Sequence, residues 1–440
     1  MSPFWKRESL KVGVHHFHGK GDLAGKRFHL RIDSEEKGIL IMDASRMLIL
    51  NGTGIYYAYY ILSGLSDAEI VSRIRNRYRV KRRQVEEDLK EFRGQFDKLL
   101  TTGEIVSGIE TDLSDLYKDQ TAPYRMDLAI TYKCDNDCGH CYNEKRDSKE
   151  LSTEEWKRAI DILWERGIPH IIFTGGEPTQ RSDLPELIAH AEGNGQITGM
   201  NTNGRKLKSR KYLKKLVNAG LDHIQITIGS LEMDTHDSIV GREGAYGDTV
   251  KGIRNVLSEG VYLVTNTTIM RENQDEILDT VDFLRDMGVS HIAVNSLIRS
   301  GKGKDARGIS IEELQDILKE GRDKGRLEGF EFRWYTPTPY CLMNPMELDL
   351  GLKQCTACKL NMAVEPDGSV LPCQSYYEPL GNILKDDFDK IWNHKVCRRI
   401  RTGKFTPKKC RKCDLRIVCG GGCPLSWKTD DYICLDVLSS

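Results

Sequence analysis

The spacing of hydrophobic positions changes character twice along the chain. From Arg27, the residues Phe28, Leu30 and Ile32 alternate with polar ones, and Ile39-Leu40-Ile41-Met42 follows as a second apolar run; both predict strands. After Asn51-Gly52-Thr53-Gly54 the period becomes helical, with Ile55, Tyr59 and Leu62 on one face. Ser66-Asp67-Ala68-Glu69 supplies an N-cap and an acidic first turn for a second helix. Over Gln84–Leu100, the residues Val85, Leu89, Phe92, Phe96 and Leu99 recur at helical spacing. Residues 25–110 are therefore expected to form a small antiparallel sheet followed by three helices. Residues 1–24, with His15-His16-Phe17-His18 and several glycines, are expected to be a tail, and 111–122 a linker.

Beyond Pro123 the two periods alternate. Strands are predicted at Met126–Thr131, His170–Thr174, Ile197–Asn201, His223–Ile228, Tyr262–Ile269 and His291–Leu297. Helices are predicted near Thr153–Arg166, Leu184–Glu192, Arg210–Ala219, Asp248–Ser258, Gln274–Met287 and Ile311–Lys324. Gly167, Gly220, Gly260 and Gly288 stand where helices end. Repeated βα units imply an α/β fold with a parallel sheet and right-handed crossovers. The six units of residues 123–336 fall short of a closed TIM barrel.

Composition narrows the function classes. Hydrophobic content of 39% and charged content of 30% describe a globular chain with an ample core. Lys+Arg and Asp+Glu are both 65, so net charge argues for neither nucleic acid nor a membrane surface. No apolar run approaches the ~18 residues that span a bilayer. The start, Met1-Ser2-Pro3-Phe4-Trp5-Lys6, lacks the apolar core of a signal peptide, so a cytoplasmic location is expected.

Thirteen cysteines in such a chain point to metal rather than to disulfides. Three lie within 134–141 and ten beyond position 340, a clustering that packing thiols would not show. Cys134, Cys138 and Cys141 follow the first central strand at C-x3-C-x2-C spacing. Three thiolates on one loop can hold three irons of a [4Fe–4S] cluster and leave the fourth open to an exchangeable ligand. A zinc site using His140 is the alternative. The spacing, with Tyr142 directly after the last cysteine, resembles the radical SAM superfamily. The resemblance implies an open partial (β/α)6 barrel of TIM type over 123–336. It also implies that S-adenosylmethionine chelates the open iron and is cleaved reductively to a 5′-deoxyadenosyl radical, which takes a hydrogen from substrate.

Thr174-Gly175-Gly176-Glu177-Pro178 ends the second central strand, where glycines let backbone approach a ligand and Glu177 offers an acceptor. It resembles the family's GGEP motif, whose backbone holds the S-adenosylmethionine amino group. By the same resemblance Tyr142, Thr174, Asn203 and Thr227 are expected cofactor contacts, and Arg242 would pair with the cofactor's carboxylate. Asn295 and Ser296 are candidate adenine or substrate contacts. Gly229-Ser230 departs from the Asp-Gly common in the family. No catalytic base is assigned.

In the C-terminal segment, Cys358-x9-Gly368-x4-Cys373 and Cys410-x2-Cys413-x5-Cys419-x3-Cys423, then Cys434, resemble the SPASM extension over 337–440. Glu365-Pro366-Asp367-Gly368-Ser369 predicts a hairpin turn between Met362–Val364 and Val370–Leu371. The resemblance implies two auxiliary [4Fe–4S] clusters, three in all. One would use Cys410, Cys413, Cys419 and Cys434. The other would use Cys373 and Cys423 with ligands from Cys341, Cys355 and Cys358. Cys397 is expected to be a core thiol. Two zinc ribbons are the alternative reading of this region.

The 25–110 segment, through Leu50-Asn51-Gly52-Thr53-Gly54 and Leu62-Ser63-Gly64-Leu65-Ser66-Asp67-Ala68-Glu69-Ile70, resembles the winged-helix, PqqD-like peptide-recognition element. That implies a precursor peptide added as a strand at a sheet edge. The basic run Arg73, Arg75, Arg77, Arg79, Lys81, Arg82 and Arg83 suits an acidic partner or a solvated face. The whole is expected to be a radical SAM oxidoreductase that matures a ribosomally made peptide, forming a thioether or carbon–carbon cross-link, with a flavodoxin or ferredoxin as electron donor. The rivals are an enzyme of haem, quinone or metal-cofactor synthesis, and a non-catalytic iron–sulfur scaffold or winged-helix regulator.

Overall fold

The computed structural model describes residues 9–42, 46–101, 106–107, 120–144 and 149–426. Two compact units divide the chain, 1–122 with 163–169, and 123–162 with 170–440.

The first unit carries a five-stranded sheet in chain order: β1 (Gly13–His18), β2 (Arg27–Ser34), β3 (Lys37–Met42), β4 (Arg46–Asn51) and β5 (Val106–Ser107). β1 to β4 run antiparallel, and β5 joins β4 in parallel. Three helices follow β4: α1 (Gly52–Leu62), α2 (Asp67–Tyr78) and α3 (Arg82–Thr101). The Asn51 side chain accepts from Gly54 N at 2.8 Å and starts α1 directly at the strand's end. Ser66 and Glu69 close a capping box on α2. Phe28, Leu30, Leu40 and Leu48 of the sheet bury against Ile55, Ile70, Val85, Leu89, Phe92 and Phe96 of the helices. The alternation and helical spacing seen in the sequence are thus the two sides of one core.

The expected tail at 1–24 is corrected in part. Gly13–His18 pairs along its whole length with β2, and His16 stacks on His29 with ring centroids 4.7 Å apart. Three of its six residues are histidines, and Phe17 packs against the core among them, so no apolar alternation announced the strand. The basic run is also partly engaged inside the unit. Arg77 lies 3.9 Å over the Tyr56 ring, and Arg82 and Arg83 pair with Glu86 and Glu87 one turn on. The 111–119 part of the expected linker lies outside the described residues.

The second unit is built on a parallel sheet of β6 (Arg125–Thr131), β7 (His170–Gly175), β8 (Ile197–Thr202), β9 (His223–Thr227), β10 (Tyr262–Ile269), β11 (His291–Ser296) and β12 (Glu331–Trp334). Between them lie α4 (Thr153–Glu165), α5 (Leu184–Asn194), α6 (Arg210–Asn218), α7 (Met233–Val240), α8 (Ala245–Glu259), α9 (Ile277–Asp286) and α10 (Ile311–Glu328). All six predicted strands are present, and the sheet does not close into a barrel. The short α7 and β12 were not predicted, because eight and four residues are too few to establish a period.

The predicted hairpin exists as β13 (Asn361–Val364) and β14 (Ser369–Leu371), with Gly368 at φ +85° in the turn. β13 pairs in parallel with β6, and β14 continues to β15 (Gly381–Asn382). The region expected as a separate domain from 337 therefore extends the core sheet. Among its described residues, three short helices follow, α11 (Phe388–Trp392), α12 (Lys395–Arg401) and α13 (Arg416–Cys419).

Strand register sorts the side chains of the second sheet. Met126, Leu128, Ile130, Phe173, Ile224 and Ile226 share the apolar face, and all are fully buried. In-register partners put Asp127, Thr174, Asn201, Gln225, Thr227, Asn266, Thr268 and Asn295 on the other face. Parallel sheets cover an apolar face with helices. The opposite face is a polar lumen wall, suited to a ligand rather than to a packed core.

Candidate functional site

Cys134, Cys138 and Cys141 lie on the loop leaving β6, at the carboxyl end of the parallel strands, where α/β sites form. The loop is pinned from several sides. Asp137 N and Gly139 N donate to Val240 O and Ile239 O at the end of α7, at 2.9 and 3.0 Å. Gly241, at φ +64°, ends that helix where a Cβ would meet Asp137 O at 2.6 Å, so only glycine fits. Arg205 donates to Asp135 O at 2.8 Å and Asn136 Oδ1 at 3.1 Å, and Lys302 pairs with Asp137 Oδ1 at 2.5 Å.

The Gly175-Gly176 turn packs closely against the start of this loop. A Cβ on Gly175 would meet Thr131 O at 2.2 Å, and one on Gly176 would meet Lys133 O at 2.5 Å. Gly176 N and Glu177 N donate to Thr131 O and Lys133 O, at 2.7 and 2.8 Å. The glycines are needed because backbone meets backbone there. The Glu177 carboxylate, the acceptor expected from the sequence, is engaged by donors of the protein itself. Glu177 is 1% exposed, and its oxygens accept from Thr179 N, Thr179 Oγ1, Thr202 Oγ1 and Asn203 N at 2.7 to 3.1 Å. Burial raises its pKa while these donors pull it down. It fastens the ends of β7 and β8 together.

Other predicted contacts have definite places. Asn203 Nδ2 donates to Asp135 Oδ1 at 2.7 Å, and Arg242 Nε to Asp135 O at 2.9 Å, so both position the cluster loop. Thr174 and Thr227 sit on the lumen wall, Thr174 buried and Thr227 half-buried. Asn295 donates to Thr268 Oγ1 at 3.2 Å, while Ser296 bonds Thr336. Gly229-Ser230 is structural. Gly229 N donates to His236 Nδ1 at 3.1 Å, and Ser230 Oγ, fully buried, bonds Glu276. The Tyr142 hydroxyl donates to Gln374 Oε1 at 2.5 Å, and the Tyr377 hydroxyl accepts from Glu144 N at 3.0 Å. These bonds tie the cluster loop to the residues just after Cys373. Arg205, Gln374 and Tyr377 were not singled out from the sequence, because no local pattern marks a contact made across so many residues.

The donor chemistry of the thiols fits iron–sulfur clusters. Amides two residues on point at several sulfurs: Asn136 N at Cys134 Sγ (3.4 Å), with the same pattern at Cys355, Cys373, Cys419 and Cys423 from Ala357, Ser375, Gly421 and Leu425. Such bonds favour bound thiolate over thiol. Burial, helped by nearby negative charge, pushes Cys134 up to about 11 and Cys138 up to about 12. A cationic cluster reverses both penalties. His140 is held neutral by burial, near pKa 4, and its Nδ1 is buried without a protein partner. Asn266 Oδ1 and Asn295 Oδ1 are likewise buried and unsatisfied, so a polar ligand at the mouth of the lumen would meet waiting partners.

The C-terminal thiols sort differently from expectation. Cys358 is bonded to Cys397, which removes Cys358 from the ligand candidates and makes Cys397 more than a lone core thiol. It also corrects the expectation of a chain without disulfides. Cys355 and Cys373 are coupled electrostatically to Cys423, and Cys341 to Cys410 and Cys419. Cys434 lies outside the described residues.

Residues 128–284 match the radical SAM superfamily, and residues 355–414 match SPASM, an iron–sulfur cluster-binding domain. The chain is 30% identical over 325 residues to an Fe-coproporphyrin III synthase of Methanosarcina barkeri, covering 66% of this chain and 81% of that protein. It is 29% identical over 317 residues to a PqqA peptide cyclase of Granulibacter bethesdensis, covering 68% and 82%. In fold, Streptococcus suis SuiB bound to precursor peptide SuiA matches with a TM-score of 0.66 at 17% identity, over 93% of this chain and 95% of that one. Among the described residues no helix is long and apolar enough to cross a membrane. With the cysteine loop at the strand ends, a polar lumen beneath it and a cysteine-rich extension on the same sheet, this chain belongs to the radical SAM superfamily, as an enzyme that uses iron–sulfur clusters and S-adenosylmethionine and carries a SPASM domain.

Proposed function

We propose that this enzyme oxidatively modifies a ribosomally made precursor peptide, held through its leader by the N-terminal unit. The observation that carries the reading is that unit itself. A sheet with β1 at its edge and three helices packed behind it precedes the radical SAM core in the chain. An edge strand offers unpaired amides and carbonyls to an extended peptide. The fold likeness to SuiB with its precursor peptide extends over this unit, which supports a PqqD-like role for it.

In this reading Cys134, Cys138 and Cys141 hold the cofactor-binding cluster, one of three [4Fe–4S] clusters. When bound, that cluster and S-adenosylmethionine supply the radical chemistry. The chain's residues do the positioning. Arg205, Asn203 and Arg242 fix the loop through Asp135, and Thr174 and Thr227 line the wall below it. The polar lumen orients substrate and excludes bulk water. A flavodoxin or ferredoxin supplies the electron. The bond formed in the peptide is a thioether or carbon–carbon cross-link.

Anaerobic co-expression with short neighbouring reading frames, followed by mass spectrometry, tests the reading. A peptide product lighter by the hydrogens removed supports it. Deleting residues 1–110 should weaken leader binding and spare uncoupled S-adenosylmethionine cleavage; unchanged leader affinity refutes the docking role. The likeness to the Fe-coproporphyrin III synthase favours a second reading, synthesis of a small cofactor, and turnover of a porphyrin without any peptide would select it.

A further inference from the structure

The chain as a whole is neutral, with Lys+Arg and Asp+Glu both 65, yet one knob of the C-terminal extension is strongly cationic. Between residues 404 and 417 stand Lys404, Lys408, Lys409, Arg411, Lys412 and Arg416, all exposed, against the single carboxylate of Asp414. Among the described residues no carboxylate pairs with any of these cations. The basic run of the N-terminal unit differs, since Arg77 covers the Tyr56 ring and Arg82 and Arg83 pair with Glu86 and Glu87. The knob is pinned by its own backbone. Arg416 Nη2 donates to Thr402 O, Cys410 N to Pro407 O and Arg416 N to Cys413 O, each at 3.1 Å. Gln354 Nε2 holds α13 through Val418 O at 2.9 Å. Like charges are thus kept together without internal partners, an arrangement that an acidic partner relieves.

Two further features sit in the same stretch. Leu415 and Ile417 are apolar yet 43% and 52% exposed, on either side of Arg416. Cys410 and Cys413, cluster ligands by the SPASM resemblance, stand between the cations, and Cys413 is exposed. Exposed apolar side chains with a charged rim mark a protein-docking surface. The stretch offers no exposed aromatic ring on which bases could stack.

We propose that this knob is the docking surface for a small acidic one-electron carrier protein of flavodoxin or ferredoxin type, which exchanges its electron with the auxiliary cluster that the resemblance places at Cys410 and Cys413. The proposal rests on the reading that the extension holds iron–sulfur clusters. The reduced carrier loses one electron and the cluster gains it, and no bond is made or broken. Transient electron-transfer complexes use small, charge-steered surfaces of this kind.

The test measures binding of two purified acidic probes, a flavodoxin and a [2Fe–2S] ferredoxin, to the full reconstituted chain under anaerobic conditions. Lys404→Glu, Lys408→Glu and Lys409→Glu together should raise Kd about tenfold at low ionic strength, and added salt should shrink the difference. The same charge change at three exposed cations of α6 and α8, Lys211→Glu, Lys251→Glu and Arg254→Glu, should leave Kd within about twofold. Leu415→Ser with Ile417→Ser should weaken binding without altering its salt dependence. Iron per chain and circular dichroism check each variant; where charge reversal costs iron, Lys404→Gln, Lys408→Gln and Lys409→Gln are read instead. Failure of both carriers to bind, equal weakening in the two triple variants, or duplex DNA binding in place of the carriers overturns the proposal. In the chain with Cys134→Ala, Cys138→Ala and Cys141→Ala, reduced flavodoxin should still be reoxidised, more slowly when the patch is reversed; docking without reoxidation also overturns it. A background chain that binds no iron would sink the cluster reading and the proposal with it, whereas lost docking with iron intact sinks the proposal alone.

Discussion

The cluster loop and the cysteine-rich extension carry the same chemistry by opposite means. The loop gathers three sulfurs from eight consecutive residues after one strand, and its neighbours only hold it in place. The extension gathers its sulfurs across segments separated by long stretches of chain, with Tyr340 reaching the sulfur of Cys419. A site made within one turn survives in spacing. A site made by packing does not, because any of several thiols satisfies the same spacing until the chain is folded.

The sharpest break of this comparison is removal of the local set. Cys134→Ala, Cys138→Ala and Cys141→Ala together should abolish 5′-deoxyadenosine formation and remove about four irons, leaving the auxiliary EPR signals in place. Persistent cleavage would mean that the loop is not self-sufficient. Next comes the disulfide. The double change Cys358→Ala and Cys397→Ala should cost about 2–4 kcal/mol in denaturant unfolding and leave the iron content unchanged. Iron loss would return Cys358 to the ligand set.

A smaller change probes the link between the two regions. Tyr142→Phe deletes a buried hydroxyl and strands Gln374 Oε1, so stability should fall by about 1–2 kcal/mol. The auxiliary EPR line shape should shift with it, since Gln374 directly follows Cys373; an unaltered spectrum would show the regions to be independent.

The last effect concerns pH. His223 meets His170 with nitrogens 2.9 Å apart at the strand ends opposite the cluster loop, and burial lowers its pKa from 6.5 to about 4. The unfolded chain therefore binds a proton that the folded chain refuses between those values. Stability should fall as pH drops from 6.5 towards 4, by about 1 kcal/mol per unit for this group. His223→Gln should flatten that slope when unfolding midpoints at pH 7 and pH 5 are compared.

Much of the fold was legible. Each of the six central strands was announced by alternation or an apolar run, and β6, β7 and the helices of the first unit emerge where periodicity placed them. β1 was not, because three of its six residues are histidines and leave no apolar alternation to read. β13 was legible as half of a hairpin, but its pairing with β6 was not, since a parallel partner leaves no mark on local spacing. At the site, the sequence singled out Glu177 and the two glycines, and the structure gives each a definite place. Their tasks were decided by what lies across from them, the backbone of Thr131 and Lys133 and the donors at Thr202 and Asn203.

By itself, then, the sequence determined the element types and the single loop whose three thiols define the family, because strand alternation, helical periodicity and a ligand turn are all short-range properties of a chain. Tertiary structure decided which face of the sheet became a polar lumen, which carboxylate was consumed as architecture, and how the later cysteines divide. Those outcomes depend on register and on contacts between residues far apart in sequence, and such contacts exist only once the chain has closed its loops and buried its core.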